Sequence, residues 1–200
     1  MLRLQEFRLL TLAVSFNTFG EVAEQVVLGW LTLELTDSPL MVGVALGMRM
    51  APLFFFGIPA GILADRADRN HLLRATSAAK AGASVALALL VFGDAVQVWH
   101  LLLLTFAAGC LRALNNVARQ SYAHDVVGPG RLVDGLAVLG FATRIGGLLG
   151  ALAAGPLIAR LGAGAAYLAV AAGHLASVVA LRHPPAGAGG PPGSGETVRR

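Results

Sequence analysis

Ten consecutive residues, Gly61-Ile62-Leu63-Ala64-Asp65-Arg66-Ala67-Asp68-Arg69-Asn70, place a dense group of charges between two long apolar runs. Charges this close together cannot rest in hydrocarbon, so they require a short aqueous turn between two spanning helices. Their arginines also mark which side of the bilayer the turn faces. Composition agrees. The chain is 56% hydrophobic and only 13% charged, with a mean hydropathy of +0.71, whereas a soluble domain carries roughly a quarter charged residues.

Six apolar segments of spanning length follow one another, at about 7–33, 40–64, 71–92, 99–118, 132–158 and 163–181. Each supplies the roughly 20 residues that a bilayer demands. The sequence therefore predicts an all-α polytopic membrane protein, with a six-helix bundle over residues 1–183 and a flexible Pro/Gly-rich tail over residues 184–200. The apolar stretch behind the basic N-terminus contains Glu21 and Glu24 and shows no small-residue cleavage pattern, so it reads as a retained first span.

The formal net charge of +4 does not indicate nucleic acid, because the basic residues fall in short turns and form no single patch. Arg3 and Arg8, then Arg66, Arg69 and Arg74, then Arg119 and Arg131, and finally Arg182, Arg199 and Arg200 all fall on one side. The opposite turns offer only Arg160. By the positive-inside rule both termini are expected in the cytoplasm, with the protein in the cell (cytoplasmic) membrane. Cys110 is the only cysteine and can form no internal disulfide. Trp99 fits an interfacial anchor.

Arg49, Lys80, Arg112 and Arg144 fall within the expected spans. Ionisable side chains there face a bundle interior or a water-filled cavity and take partners. On the first span Asn17, Glu21 and Glu24 share one helical face by their i, i+4, i+7 spacing. At about 1.5 Å per residue, Glu21 and Arg49 lie at similar depth, roughly 20 Å from the cytoplasmic end, so they are expected to pair. Glu21 or Glu24 is a candidate proton-titrating or cation-binding carboxylate, and a permanent ion pair that fixes helix register is the alternative. Glu24, nearer the outer end, is expected to reach water.

Arg112 and Arg144 are candidates for a cavity that takes an anionic or polar substrate, Arg144 the stronger. Arg112 could instead extend to the cytoplasmic surface, and Lys80 is expected to do so. Gly57 with Gly61, and Gly146 with Gly150, form small-xxx-small pairs for close helix packing, with Gly147 beside them. With Pro52, Pro59 and Pro156, the same glycines could bend helices as one bundle rocks. His174 reads as a packed or hydrogen-bonded histidine, and no metal-ligand cluster accompanies it.

The run Gly61-Ile62-Leu63-Ala64-Asp65-Arg66-Ala67-Asp68-Arg69 resembles the G-x-L-x-D-R-x-x-R loop of the major facilitator superfamily, in the same place after a second span. The stretches 31–39, Ala118-Arg119-Gln120 and Arg144-Ile145-Gly146-Gly147 resemble its macrolide-efflux and enterobactin-exporter branch. The resemblance runs from about residue 7 to residue 185. Two positions depart from it. Asn115 stands where this branch often has an acid, though an amide there can still accept a hydrogen bond, and Gly147-Leu148 stands in place of a Gly-Pro pair, with Gly155-Pro156 later.

The resemblance implies the N-terminal half of an efflux carrier that works by alternating access, driven by proton exchange. It implies a conformational latch in which Asp65 contacts a second half while Arg66 and Arg69 engage acids at neighbouring helix ends, with Gly61 in the same loop. The expected partners are the lipid bilayer, a small-molecule substrate and a second six-helix half, of the same chain type or separate. No cofactor, no metal and no catalytic residue is expected. Two other readings remain open. One is a non-transporting membrane remnant or assembly partner, and the other is an intramembrane hydrolase with Ser84 as nucleophile and His174 as base.

Overall fold

The structure is a computed structural model that describes the backbone of residues 2–66, 68–127 and 132–182, and the side chains of residues 7–55, 68–123, 126 and 133–182. Five helices follow in order: α1 (Leu2–Thr36), α2 (Pro39–Arg66), α3 (Arg69–Phe92), α4 (Val98–Val127) and α5 (Leu132–Ala180). Among the described residues, three of them, α3, α4 and α5, are long and apolar enough to cross a membrane. The chain is all-α in this sense, as its apolar patterning predicts.

Helix α5 is two helical limbs joined across a kink. The sequence leads to two spans at 132–158 and 163–181, and the limbs meet at Gly162, whose backbone is non-helical (φ 81°, ψ 171°). Helix continues to Leu161, past the last apolar residues that the pattern assigns to a span, so the expected turn shrinks to one glycine. Unbroken, 49 residues would stretch about 74 Å at 1.5 Å per residue, more than twice the hydrocarbon thickness. The backbone at Gly162 lies in a region open essentially to glycine alone, and it reverses the chain there. The reversal shows in the packing. Gly146 and Gly150 of the first limb lie against Ser15 and Phe19 of α1, and Gly173 of the second limb lies against Phe16 and Phe19.

The charged run at 61–70 is also more helical than a turn. Helix α2 continues through Arg66, and α3 starts at Arg69. Asp68 caps α3, its carboxylate accepting from the His71 amide at 2.7 Å, which satisfies one of the free amides at a helix start. Likewise α4 runs on to Val127, so Arg119 belongs to a helix and not to the turn the sequence suggested.

Burial along α1 repeats at 10, 13–14, 17–18, 20–21, 23–24, 27–28 and 31–32, the 3.6-residue stripe of a helix with one face turned inward. The stripe contains Asn17, Glu21 and Glu24, so the polar residues share the core-facing side. Two apolar clusters lie at different levels of the bundle. One gathers Val27, Leu28, Leu87, Leu101, Tyr167 and Val170, and the other gathers Leu10, Val14, Leu73, Tyr122, Leu139 and Leu181. The outer surface is apolar too: Leu40, Phe54, Phe55, Leu89, Val133 and Leu152 are exposed, Phe54 by 85%. Exposed apolar area of this extent calls for lipid around it.

Candidate functional site

Between the two apolar clusters lies a layer of buried polar side chains drawn from four helices. Glu21 of α1 is its centre. Its Oε1 receives Lys80 Nζ of α3 at 2.9 Å and Asn17 Nδ2 at 3.1 Å, while Arg112 Nε of α4 stands 3.5 Å from Oε2. Lys80 also donates to Asn17 Oδ1 at 2.7 Å. One turn along α1, Glu24 Oε2 accepts from Arg49 Nη1 of α2 at 2.9 Å, and Arg49 Nη2 donates to the backbone carbonyl of Glu21 at 2.7 Å. Helices α1, α2 and α3 are thus tied together by charge-assisted bonds of the short, strong kind, and Arg112 of α4 adds a longer ion pair.

Three sequence expectations change here. The carboxylate that pairs with Arg49 is Glu24, and Glu21 meets Arg49 only through its backbone. Equal depth cannot distinguish these, because residues 21 and 24 lie within one turn of each other. Glu24 does not reach water; it is 5% exposed. Lys80 does not extend to the surface either. It is 2% exposed, because Asn17 and Glu21 offer acceptors at its own level and a full ion pair inside satisfies it. Arg112 is partly exposed, its side chain 30% accessible, with its guanidinium turned to Glu21.

The layer extends beyond the expected residues. Asn115 of α4 is buried and donates to Thr76 Oγ1 of α3 at 2.7 Å, so this amide holds α3 and α4 together by donating. His174 of the second α5 limb is fully buried, with neither ring nitrogen hydrogen-bonded. Its ring rests against Gly20, where a β-carbon would fall 2.9 Å from Cε1. Ser84 donates to the carbonyl of Lys80 at 3.0 Å, so no Ser84–His174 hydrogen bond exists to support a nucleophile and base. Tyr167 is buried with its hydroxyl unpartnered.

Two spaces adjoin this layer. A cavity of about 10 Å³, bordered by Asn17, Ser77, Asn115, Arg119 and Ser177, is large enough for one water molecule; the buried Ser77 hydroxyl beside it has no hydrogen-bond partner. A much larger groove of about 810 Å³ lies between α4 and α5, lined by Arg69, Arg119, Gln120, Thr143 and Arg144 among others. Arg119 borders both. Arg144 is exposed in this groove, and Arg69 Nη1 reaches the Ser121 carbonyl at 3.4 Å.

The glycines act on backbone approach. A β-carbon at Gly146 would collide with the Ser15 carbonyl oxygen, and one at Gly150 with that of Phe19. Gly147 faces the side chains of Val22 and Thr18. Gly109, which sequence reasoning passed over, sits where a β-carbon would lie 2.6 Å from the Arg49 carbonyl oxygen, letting α4 close on α2 beside the ion layer. Gly57, Gly61, Asp65 and Arg66 lie in the stretch of α2 whose side-chain surroundings are outside the described residues, as does the 184–200 tail. No group of three or more metal-ligating side chains occurs among the described residues.

An all-helical bundle sheathed in apolar side chains, with paired ions held between its apolar clusters, defines an integral membrane protein with a polar interior. The chain matches the MFS_3 family of transmembrane secretion effectors over residues 1–188 and belongs to it. It is therefore a membrane transport protein of the major facilitator superfamily. No curated protein and no solved structure matches it.

Proposed function

We propose that the chain is the N-terminal six-span half of a carrier that exports a small molecule by alternating access. The two limbs of α5 are taken as separate crossings on either side of Gly162, both termini lie in the cytoplasm, and the membrane is the cytoplasmic one. The observation that supports this best is the ion layer. Buried ionisable groups inside a membrane bundle are expensive and mark substrate or proton pathways. Here one carboxylate, Glu21, is shared among Lys80, Asn17 and the partly exposed Arg112, so a proton or a substrate arriving along α4 would compete for a group that joins three helices.

In this reading a second six-helix half, of the same chain type or separate, faces the groove between α4 and α5. Asp65 of the charged run contacts that half, while Arg66 and Arg69 engage acids at neighbouring helix ends. The macrolide and enterobactin-type exporters are the branch that the sequence motifs resemble. Exchange of protons for substrate needs a titrating group that changes partners between states, and Glu21 is that group.

Dye efflux from cells producing the assembled carrier, measured across a range of external pH, tests this. Glu21→Gln abolishes the proton-driven component of efflux. Efflux by that variant with the pH dependence of the unaltered carrier would remove Glu21 from the mechanism.

A further inference from the structure

Counting charge through the ion layer and the adjoining groove exposes an imbalance. Six cations, Arg49, Arg69, Lys80, Arg112, Arg119 and Arg144, accompany two carboxylates, Glu21 and Glu24, among the described residues. Arg49 is matched by Glu24, and Glu21 already serves both Lys80 and Arg112. Among the described residues neither Arg119 nor Arg144 has a carboxylate within ion-pair distance. Arg119 is half-buried, bordering the one-water cavity as well as the groove. A guanidinium placed so deep in a membrane protein without a carboxylate in direct contact is costly, and an anion in the groove reduces that cost.

The rest of the lining fits an anion with an apolar body. The side chains of Gln120 and Thr143 offer further donors, no acidic residue is among the described residues that line the groove, and Leu136, Leu139, Gly140 and Ala123 form its apolar portion. The volume of about 810 Å³ falls within the range of small-molecule pockets. Arginine is the side chain suited to carboxylate and phosphate, because its planar fork binds two oxygens at once.

We propose that the α4–α5 groove is the binding site for an amphipathic organic anion, whose carboxylate or phosphate is held by Arg119 and Arg144 and whose apolar part lies along Leu136 and Leu139. This rests on the exporter reading and names the substrate class for it. The occupant is a transported solute. An anionic lipid headgroup shares the same chemistry and is the rival source.

Purified full-length chain in phosphatidylcholine nanodiscs, titrated with dodecyl phosphate, provides the test, with dodecyltrimethylammonium as the opposite-charge control. Dodecyl phosphate binds and the cationic amphiphile does not. Arg119→Gln and Arg144→Gln each weaken binding by about tenfold or more, as expected for loss of a charge-assisted contact, and Arg119→Lys recovers part of it. Variants that keep the thermal midpoint of the parent chain separate this loss from misfolding. Equal binding of both amphiphiles, or arginine variants that bind dodecyl phosphate as the parent does, overturns the proposal. So does loss of dodecyl phosphate binding in discs containing phosphatidylglycerol together with arginine-dependent retention of that lipid, which assigns the groove to lipid. Arginine-dependent binding by the chain together with no efflux from cells producing the assembled carrier would refute the exporter reading while leaving the anion site intact, so the two fail separately.

Discussion

Arg49 holds Glu24 and Glu21 in two different ways, one guanidinium nitrogen bonding the carboxylate of Glu24 at 2.9 Å and the other bonding the backbone carbonyl of Glu21 at 2.7 Å. The second contact occupies a carbonyl on the same turn of α1 that presents the Glu21 carboxylate to α3 and α4. The charge on α2 therefore positions a group that α2 itself does not neutralise.

Removing Arg49 strands a carboxylate that is buried on all sides. Arg49→Met should destabilise the protein by about 3–5 kcal/mol, the cost of leaving one member of a buried pair alone. The double variant Arg49→Met with Glu24→Gln should recover a large part of that. Thermal unfolding in detergent reads both, and equal losses in the single and double variants would show that Glu24 is not what Arg49 neutralises.

Lys80 is held by two acceptors converging on one nitrogen, Asn17 Oδ1 and Glu21 Oε1. A guanidinium spreads its donors over a rigid plane and cannot place them where a single ammonium sits. Lys80→Arg, which keeps the charge, should therefore lower the thermal midpoint, and Lys80→Met should lower it further unless Glu21→Gln accompanies it. A Lys80→Arg protein as stable as the parent would mean that only charge matters at this position.

Gly146→Ala and Gly150→Ala would each drive a methyl group into a backbone carbonyl of α1, and backbone cannot move aside as a side-chain tip can. Each should cost about 1–3 kcal/mol, the usual range for overpacking. Gly43 of α2 has nothing within 4 Å of a β-carbon, so Gly43→Ala should be neutral or slightly stabilising through helix propensity. Finding all three variants alike would refute the close approach of α1 and α5.

At Gly162 the cost lies in the backbone alone, since a β-carbon there would meet nothing within 4 Å while φ is +81°. Gly162→Ala should cost about 1–3 kcal/mol, the strain of a non-glycine residue in that region. Chemical denaturation compared with Gly155→Ala, another position with open space around it, isolates the effect.

Much of the helical layout was legible from hydropathy, because a bilayer leaves an apolar chain few choices besides helix. Register within the polar layer was harder to read. Spacing places Asn17, Glu21 and Glu24 on one face of α1, and they do share its buried stripe, but which cation meets which acid depends on helix rotation and crossing, which distance along an axis does not encode. Lys80 carried a signal that could have been used: it is the chain's single lysine, every other Lys or Arg position being arginine. Arg119 was assigned to a turn because the apolar run ends at Ala118, although α4 continues for two further turns. The packing role of Gly109 gave no sequence pattern at all, since its counterpart is a carbonyl on another helix.

The ion layer joins residues that are made at different times. Glu21 and Glu24 enter the bilayer on the first helix, whereas Arg49 follows Glu24 by 25 residues and Lys80 follows Glu21 by 59. During synthesis from the N-terminus, α1 thus arrives with two carboxylates whose insertion is unfavourable by itself. Glycosylation mapping should find α1 alone poorly inserted and a segment from α1 through α3 well inserted. Completion of α3 becomes the point at which the growing chain commits to the membrane, so the pairs that hold the finished bundle also time its biogenesis.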